Sequence, residues 1–112
     1  MQERRNSDRV YLHLTHVKEL NGDYQFAYKA LNLSDEGIFL EAKICTSDQE
    51  PFSSLSFTLP NGVVLKNITA RMIREVRKGP RKGAAYEFLN MNEFTRIELR
   101  KYIFDNLLKG TA

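Results

Sequence analysis

A mainly β protein, an antiparallel barrel or sandwich followed by a single helix, is predicted by three observations. Short runs alternating apolar and polar residues recur as far as Leu89. Turn-forming stretches such as Asn21-Gly22 and Pro60-Asn61-Gly62 separate them. The period becomes helical only after Asn90. At 112 residues the chain suffices for one domain with a single small core.

Taken in order, "VYLHLTHV" places Val10, Leu12 and Leu14 on one face of a strand and Tyr11, His13 and Thr15 on the other. Asn21-Gly22 suits a hairpin turn, and "YQFAYKALNL" is the returning strand. "SDEG" breaks it and "IFLEA" resumes. A loop is expected from Lys43 to Ser53, around Pro51, before "LSFTL" alternates through Leu55, Phe57 and Leu59. After the turn at residues 60 to 62, one long strand is expected from Val63 to Val76, bent near Asn67. "RKGPRKG" reads as a basic exposed turn and "AAYEFL" as the final strand. The whole chain is thus expected to be one domain, with residues 1–9 a loop, 10–89 the sheet and 91–109 the helix.

In "NEFTRIELRKYIFDNLLKG", Asn90 and Glu93 have the spacing of a capping box, and Gly110 suits a helix stop. At about 100° per residue, Phe94, Ile97, Phe104 and Leu108 form one apolar stripe and Leu99, Ile103 and Leu107 another. The first is expected to cover the sheet. The second is either more core or a contact with another chain, such as a homodimer through this helix.

Composition narrows the function classes. Hydrophobic residues make up 42% and charged residues 28%, as in ordinary soluble domains. No apolar run approaches a membrane span, and the charged first residues do not resemble a signal peptide, so the expected location is cytoplasmic without membrane insertion. Cys45 is the only cysteine and reads as a small semi-buried residue. His13 and His16, three apart on a strand, point to opposite faces, so no metal site is expected. No nucleophile–base motif or glycine-rich phosphate loop appears, and the expectation is that the protein is not an enzyme and needs no cofactor.

The net charge of +3 is unevenly spread. Between Lys66 and Gly83 stand seven basic residues (Lys66, Arg71, Arg74, Arg77, Lys78, Arg81, Lys82) against one acid, Glu75. A second basic focus, "ERRNSDRV", carries Arg4, Arg5 and Arg9 directly before the first strand. Both foci favour an anionic partner. From Arg71 to Ala85 there is no aromatic residue, which disfavours nucleic acid at the later focus.

Two short motifs stand out. Arg5 and Arg9 form R-x-x-x-R, and Asn32, Ser34 and Gly37 form N-x-S-x-x-G where one strand ends. Alone, the first reads as a solvated face and the second as a well-made turn. Together, "RNSDR" and "NLSDEG" resemble the PilZ domain, the bacterial receptor module for cyclic di-GMP. The late "GAAYEF" is similar to that family's final strand, so the resemblance spans nearly the whole chain.

The resemblance implies a six-stranded antiparallel barrel with a C-terminal helix. It also implies a cyclic di-GMP site made of Arg4, Arg5, Arg9, Asn32, Ser34 and Gly37. The chemistry suits the ligand: guanidinium groups bond phosphate oxygens and the guanine O6/N7 edge in bidentate fashion and stack on purines. Arg5 and Arg9 would hold phosphate and guanine, Asn32 and Ser34 a base edge, and Gly37 would shape the turn. Arg4 resembles receptors that take an intercalated pair of cyclic di-GMP molecules. The N-terminal loop would close over the ligand and alter a surface presented to a downstream protein not identified by the sequence. The alternative is a PilZ-fold interaction scaffold that binds no nucleotide.

Overall fold

The computed structural model describes residues 10–43, 49–80 and 82–110, with the side chains of 10–15 and 108–110 outside that description. Six strands form a closed antiparallel barrel: β1 (Val10–Asn21), β2 (Tyr24–Leu33), β3 (Gly37–Glu41), β4 (Phe52–Thr58), β5 (Val64–Val76) and β6 (Gly83–Leu89). Around the barrel the order is β1-β2-β3-β6-β5-β4, and β4 closes onto β1 through Lys18↔Ser56 to Leu20↔Ser54. Closure leaves no full-length open edge. One helix, α1 (Glu93–Gly110), follows.

The turns fall where small and polar residues permit them. Gly22 has φ +61 as first central residue of the β1–β2 hairpin, where Asn21 pairs with Tyr24. Leu59 and Val63 bracket the β4–β5 turn through a 2.8 Å backbone bond. The bend expected near Asn67 is a bulge: the β4–β5 register shifts between Leu55 and Phe57, Asn67 adopts φ +55, and its N–H donates to Ser56 Oγ at 2.9 Å.

A bulge also changes the first strand. The β1–β2 register shifts between Leu14 and Val17, at exposed His16. Past it, Val17 and Glu19 are fully buried and Asn21 nearly so, so odd-numbered residues face inward there. Simple alternation from Val10 would have put even-numbered residues inside. The side chains of Val10, Leu12, Leu14 and His13 lie outside the described residues.

The core is aliphatic, with Leu33, Leu40, Leu55 and Ala70 wholly buried. Leu99, Tyr102 and Ile103 of α1 join the same cluster, and Leu107 packs against it. The helix therefore docks with the stripe opposite to the one expected: Phe94, Ile97 and Phe104 are 59%, 46% and 61% exposed. The sequence pattern showed two stripes of similar apolarity, and the surface supplied by the barrel decides between them. The cap is corrected too. Asn92 Oδ1 accepts the Thr95 N–H at 2.8 Å, whereas Asn90 sits outside the helix at φ +50.

A charged pair lies inside the barrel. Lys43, just beyond β3, donates to Glu19 Oε1 at 2.9 Å with both side chains essentially buried. Ser53 and Tyr86 hydroxyls donate to Glu19 Oε2 at 2.6 and 2.9 Å. The ammonium also lies 5.1 Å from the ring centres of Phe26 and Tyr28. Among the described residues no buried side-chain nitrogen or oxygen is left without a hydrogen-bond partner.

Candidate functional site at the β2–β3 turn

The N-x-S-x-x-G stretch spans the end of β2 and the start of β3. Ser34 is fully buried, and its Oγ accepts the N–H groups of Glu36 and Gly37, both at 3.1 Å. Its own N–H donates to the Gly37 carbonyl at 2.9 Å. Serine here closes a turn with its side chain, satisfying donors that no strand partner reaches. Asn32 stands at the end of β2, half-buried, opposite Tyr11 of β1.

Gly37 is required for a reason other than positive φ, which it does not adopt. A Cβ there would overlap the backbone carbonyl of Tyr86 on β6, across the Gly37↔Glu87 pairing. Gly37→Ala is expected to destabilise the fold by about 2–4 kcal/mol by forcing β3 from β6. A urea melt within about 0.5 kcal/mol of the parent would refute that close approach.

Two contacts that the motif alone did not reveal fix the turn to the rest of the molecule. Asp35 accepts from Arg100 Nε of α1 at 3.1 Å, and Phe88 N–H donates to the Glu36 carbonyl at 2.8 Å. The first spans 65 residues of sequence, which is why no short pattern signals it. The pair is exposed, so it orients the turn more than it stabilises it.

Arg4, Arg5 and Arg9 lie outside the described residues, as do Cys45 and Arg81. What is described is the place where their segment joins the barrel: Val10 pairs with Leu33 and Tyr11 with Asn32. Of the six residues expected at the site, Asn32, Ser34 and Gly37 therefore share one turn beside the first residue of β1.

At the far end of the barrel, a cavity of about 320 Å³ is lined in part by Asn21, Ser53 and Tyr86. Their polar groups are already bonded within the chain: Asn21 to Glu50 and Ser53, and Tyr86 to Glu19. Gln49, Glu50 and Arg71 also line it. No helix among the described residues is long and apolar enough to cross a membrane.

A closed six-stranded barrel with a serine-capped β2–β3 turn and a helix packed beside it defines a small antiparallel β-barrel domain. The PilZ domain family model matches residues 3–105, and the chain belongs to that family. Among solved structures, it is similar to the Bacillus subtilis inhibitor of motility MotI/DgrA, with TM-score 0.76 and 19% identity. That likeness covers 96% of this chain and 53% of MotI, so the chain spans about half the length of that protein. It is also similar to the PilZ domain of YcgR from Escherichia coli, solved with c-di-GMP. There the TM-score is 0.66 and the identity 18%, over 96% of this chain and 95% of that one. No curated protein matches the sequence.

Proposed function

We propose that this domain is a cyclic di-GMP receptor whose N-terminal arginines close over a ligand seated at the β2–β3 turn. The observation that carries the reading is the register of β1. Because Val10 lies opposite Leu33, Arg9 is one residue from a strand position beside the turn, and Arg5 and Arg4 are within about 20 Å of it by chain length. Membership of the PilZ family and the YcgR domain solved with c-di-GMP support the same ligand class.

In this reading Arg5 and Arg9 bond phosphate and guanine, and Asn32 presents its amide to a base edge. Asparagine offers one carbonyl acceptor where aspartate would take both guanine N1–H and N2–H, so the base contact here is the weaker kind. Ser34, fully buried, acts through the turn that its hydroxyl holds. Gly37 keeps β3 close to β6. Arg4 adds a third guanidinium, suited to the four phosphates of an intercalated pair. Closure of residues 1–9 then changes the surface offered to a downstream protein, by as much as the ligand's preference for the closed state permits.

Calorimetric titration of cyclic di-GMP into the full chain tests this. Saturable binding is expected, with two ligands per chain if the pair forms and protection of the first ten or so residues from protease. Absence of heat, with unchanged cleavage, would refute the receptor reading.

The exposed side of α1 favours a second reading, that of an interaction scaffold. Phe94, Ile97 and Phe104 are exposed on one face of the helix and suit a helix-to-helix contact in a homodimer. Sedimentation should then show a dimer that Phe104→Glu dissolves; a monomer at all concentrations removes it.

A further inference from the structure

Asn32, Ser34 and Gly37 belong to the barrel wall, but the turn they form is also held from the helix. Arg100 of α1 donates to Asp35 through Nε alone, at 3.1 Å, and makes no other bond among the described residues. The two amino groups of its guanidinium are thus left for another acceptor, on a side chain 61% exposed. Arg96 stands four residues earlier in α1, half-buried, and its side chain has no partner among the described residues. Side chains four apart on a helix are neighbours, about 6 Å from Cβ to Cβ. Arg96 and Arg100 therefore share one edge of α1, and the bond to Asp35 shows that this edge borders the β2–β3 turn.

Like charges at this spacing disfavour a helix, and a single carboxylate, Asp35, is bonded to the pair. The nearby Glu98 is met instead by Lys101, at 3.8 Å. The edge thus holds more positive charge than its own partners balance, beside a turn read as a ligand seat. It is also a firm platform. Leu99 and Ile103, on either side of Arg100, are buried in the core, and Ser34 Oγ holds the turn through two backbone N–H groups. We propose that Arg96 and Arg100 bind a phosphate of the cyclic dinucleotide, adding contacts from α1 to those of the turn. The proposal rests on the receptor reading and extends it to residues outside both short motifs. Asp35, by accepting from Nε, sets the plane of the Arg100 guanidinium and leaves its outer edge for a bidentate pair of phosphate oxygens. Arg96, one turn away, supplies the second cation.

The test is calorimetric titration of cyclic di-GMP into the full chain, comparing the parent with Arg100→Gln, Arg96→Gln/Arg100→Gln and Asp35→Asn. Arg96→Gln/Arg100→Gln is expected to bind about tenfold or more weakly, with Arg100→Gln between it and the parent. All three variants should keep the parent's urea midpoint, since the Arg100–Asp35 pair is exposed. Asp35→Asn should stay within about threefold of the parent in affinity, because both arginines remain and one carboxylate that repels phosphate is gone. The phosphorus NMR signal of the bound ligand should move between the parent and the double variant. Parental affinity in the double variant, or an unmoved phosphorus signal, would overturn the proposal and leave the receptor reading standing. So would equal losses in Arg100→Gln and Asp35→Asn, the result expected if the pair only holds the turn. A parent that binds no cyclic di-GMP would overturn both.

Discussion

Lys43→Ala is expected to lower the stability of the domain by about 3 kcal/mol or more, a large part of what a domain of this size has. The substitution leaves the Glu19 carboxylate inside the barrel without its cation, held only by Ser53 and Tyr86. It also opens a void beside Phe26 and Tyr28, whose rings the ammonium faces. The double replacement Glu19→Leu/Lys43→Met should be far milder, because removing both charges removes the desolvation penalty with the attraction. Urea unfolding of the parent, both single variants and the double variant closes the cycle. A Lys43→Ala protein as stable as the parent would show that the pair contributes nothing.

The same pair sets an alkaline limit. For Lys43, burial works to lower the pKa, but the hydrogen bond and charge of Glu19, with help from Tyr28, outweigh it and hold the value above the ordinary 10.5. The folded state therefore keeps the proton that the unfolded chain releases first. The pair's contribution is complete below pH 10.5 and is lost as pH rises through the higher folded value. Tyr102, raised above 10.0 by burial and only partly offset by Asn106, acts in the same direction. Stability should thus be insensitive to these groups at neutral pH and fall on going well above pH 10, less steeply in Glu19→Leu/Lys43→Met.

The second large effect concerns the ligand. If the N-terminal arginines hold cyclic di-GMP, Arg5→Ala/Arg9→Ala should weaken binding by about a hundredfold or more. Each charge-assisted hydrogen bond to phosphate contributes roughly 1.5–3 kcal/mol, and every 1.4 kcal/mol is tenfold. The variant should melt like the parent, since both positions precede β1. Added salt should weaken binding to the parent more than to the variant, because the variant has lost phosphate contacts that salt screens. Equal affinities for parent and variant would place the ligand elsewhere or nowhere on this chain.

Much of the architecture follows from local rules legible in the sequence. Alternation around Leu55 and Phe57, the Gly22 and Gly62 turns and the late change to helical period depend on neighbours a few residues apart. Six strands and a helix could be read from them, and Asn32, Ser34 and Gly37 carried the family resemblance in a single turn. Other features rest on contacts between distant segments. Past the bulge at His16 the odd-numbered residues of β1 face inward, so Glu19 enters the core to meet Lys43, Ser53 and Tyr86 from other elements. Sequence shows a glutamate and a lysine 24 residues apart and no reason to join them. The same holds for Asp35 and Arg100, for Gly37 against Tyr86, and for the helix face that docks. Two apolar stripes of equal promise on α1 are distinguished only when the barrel supplies a surface for one of them. Periodicity and turn chemistry determined the elements of this protein. Barrel closure, which fixes register and the faces left to water, decided which residues meet.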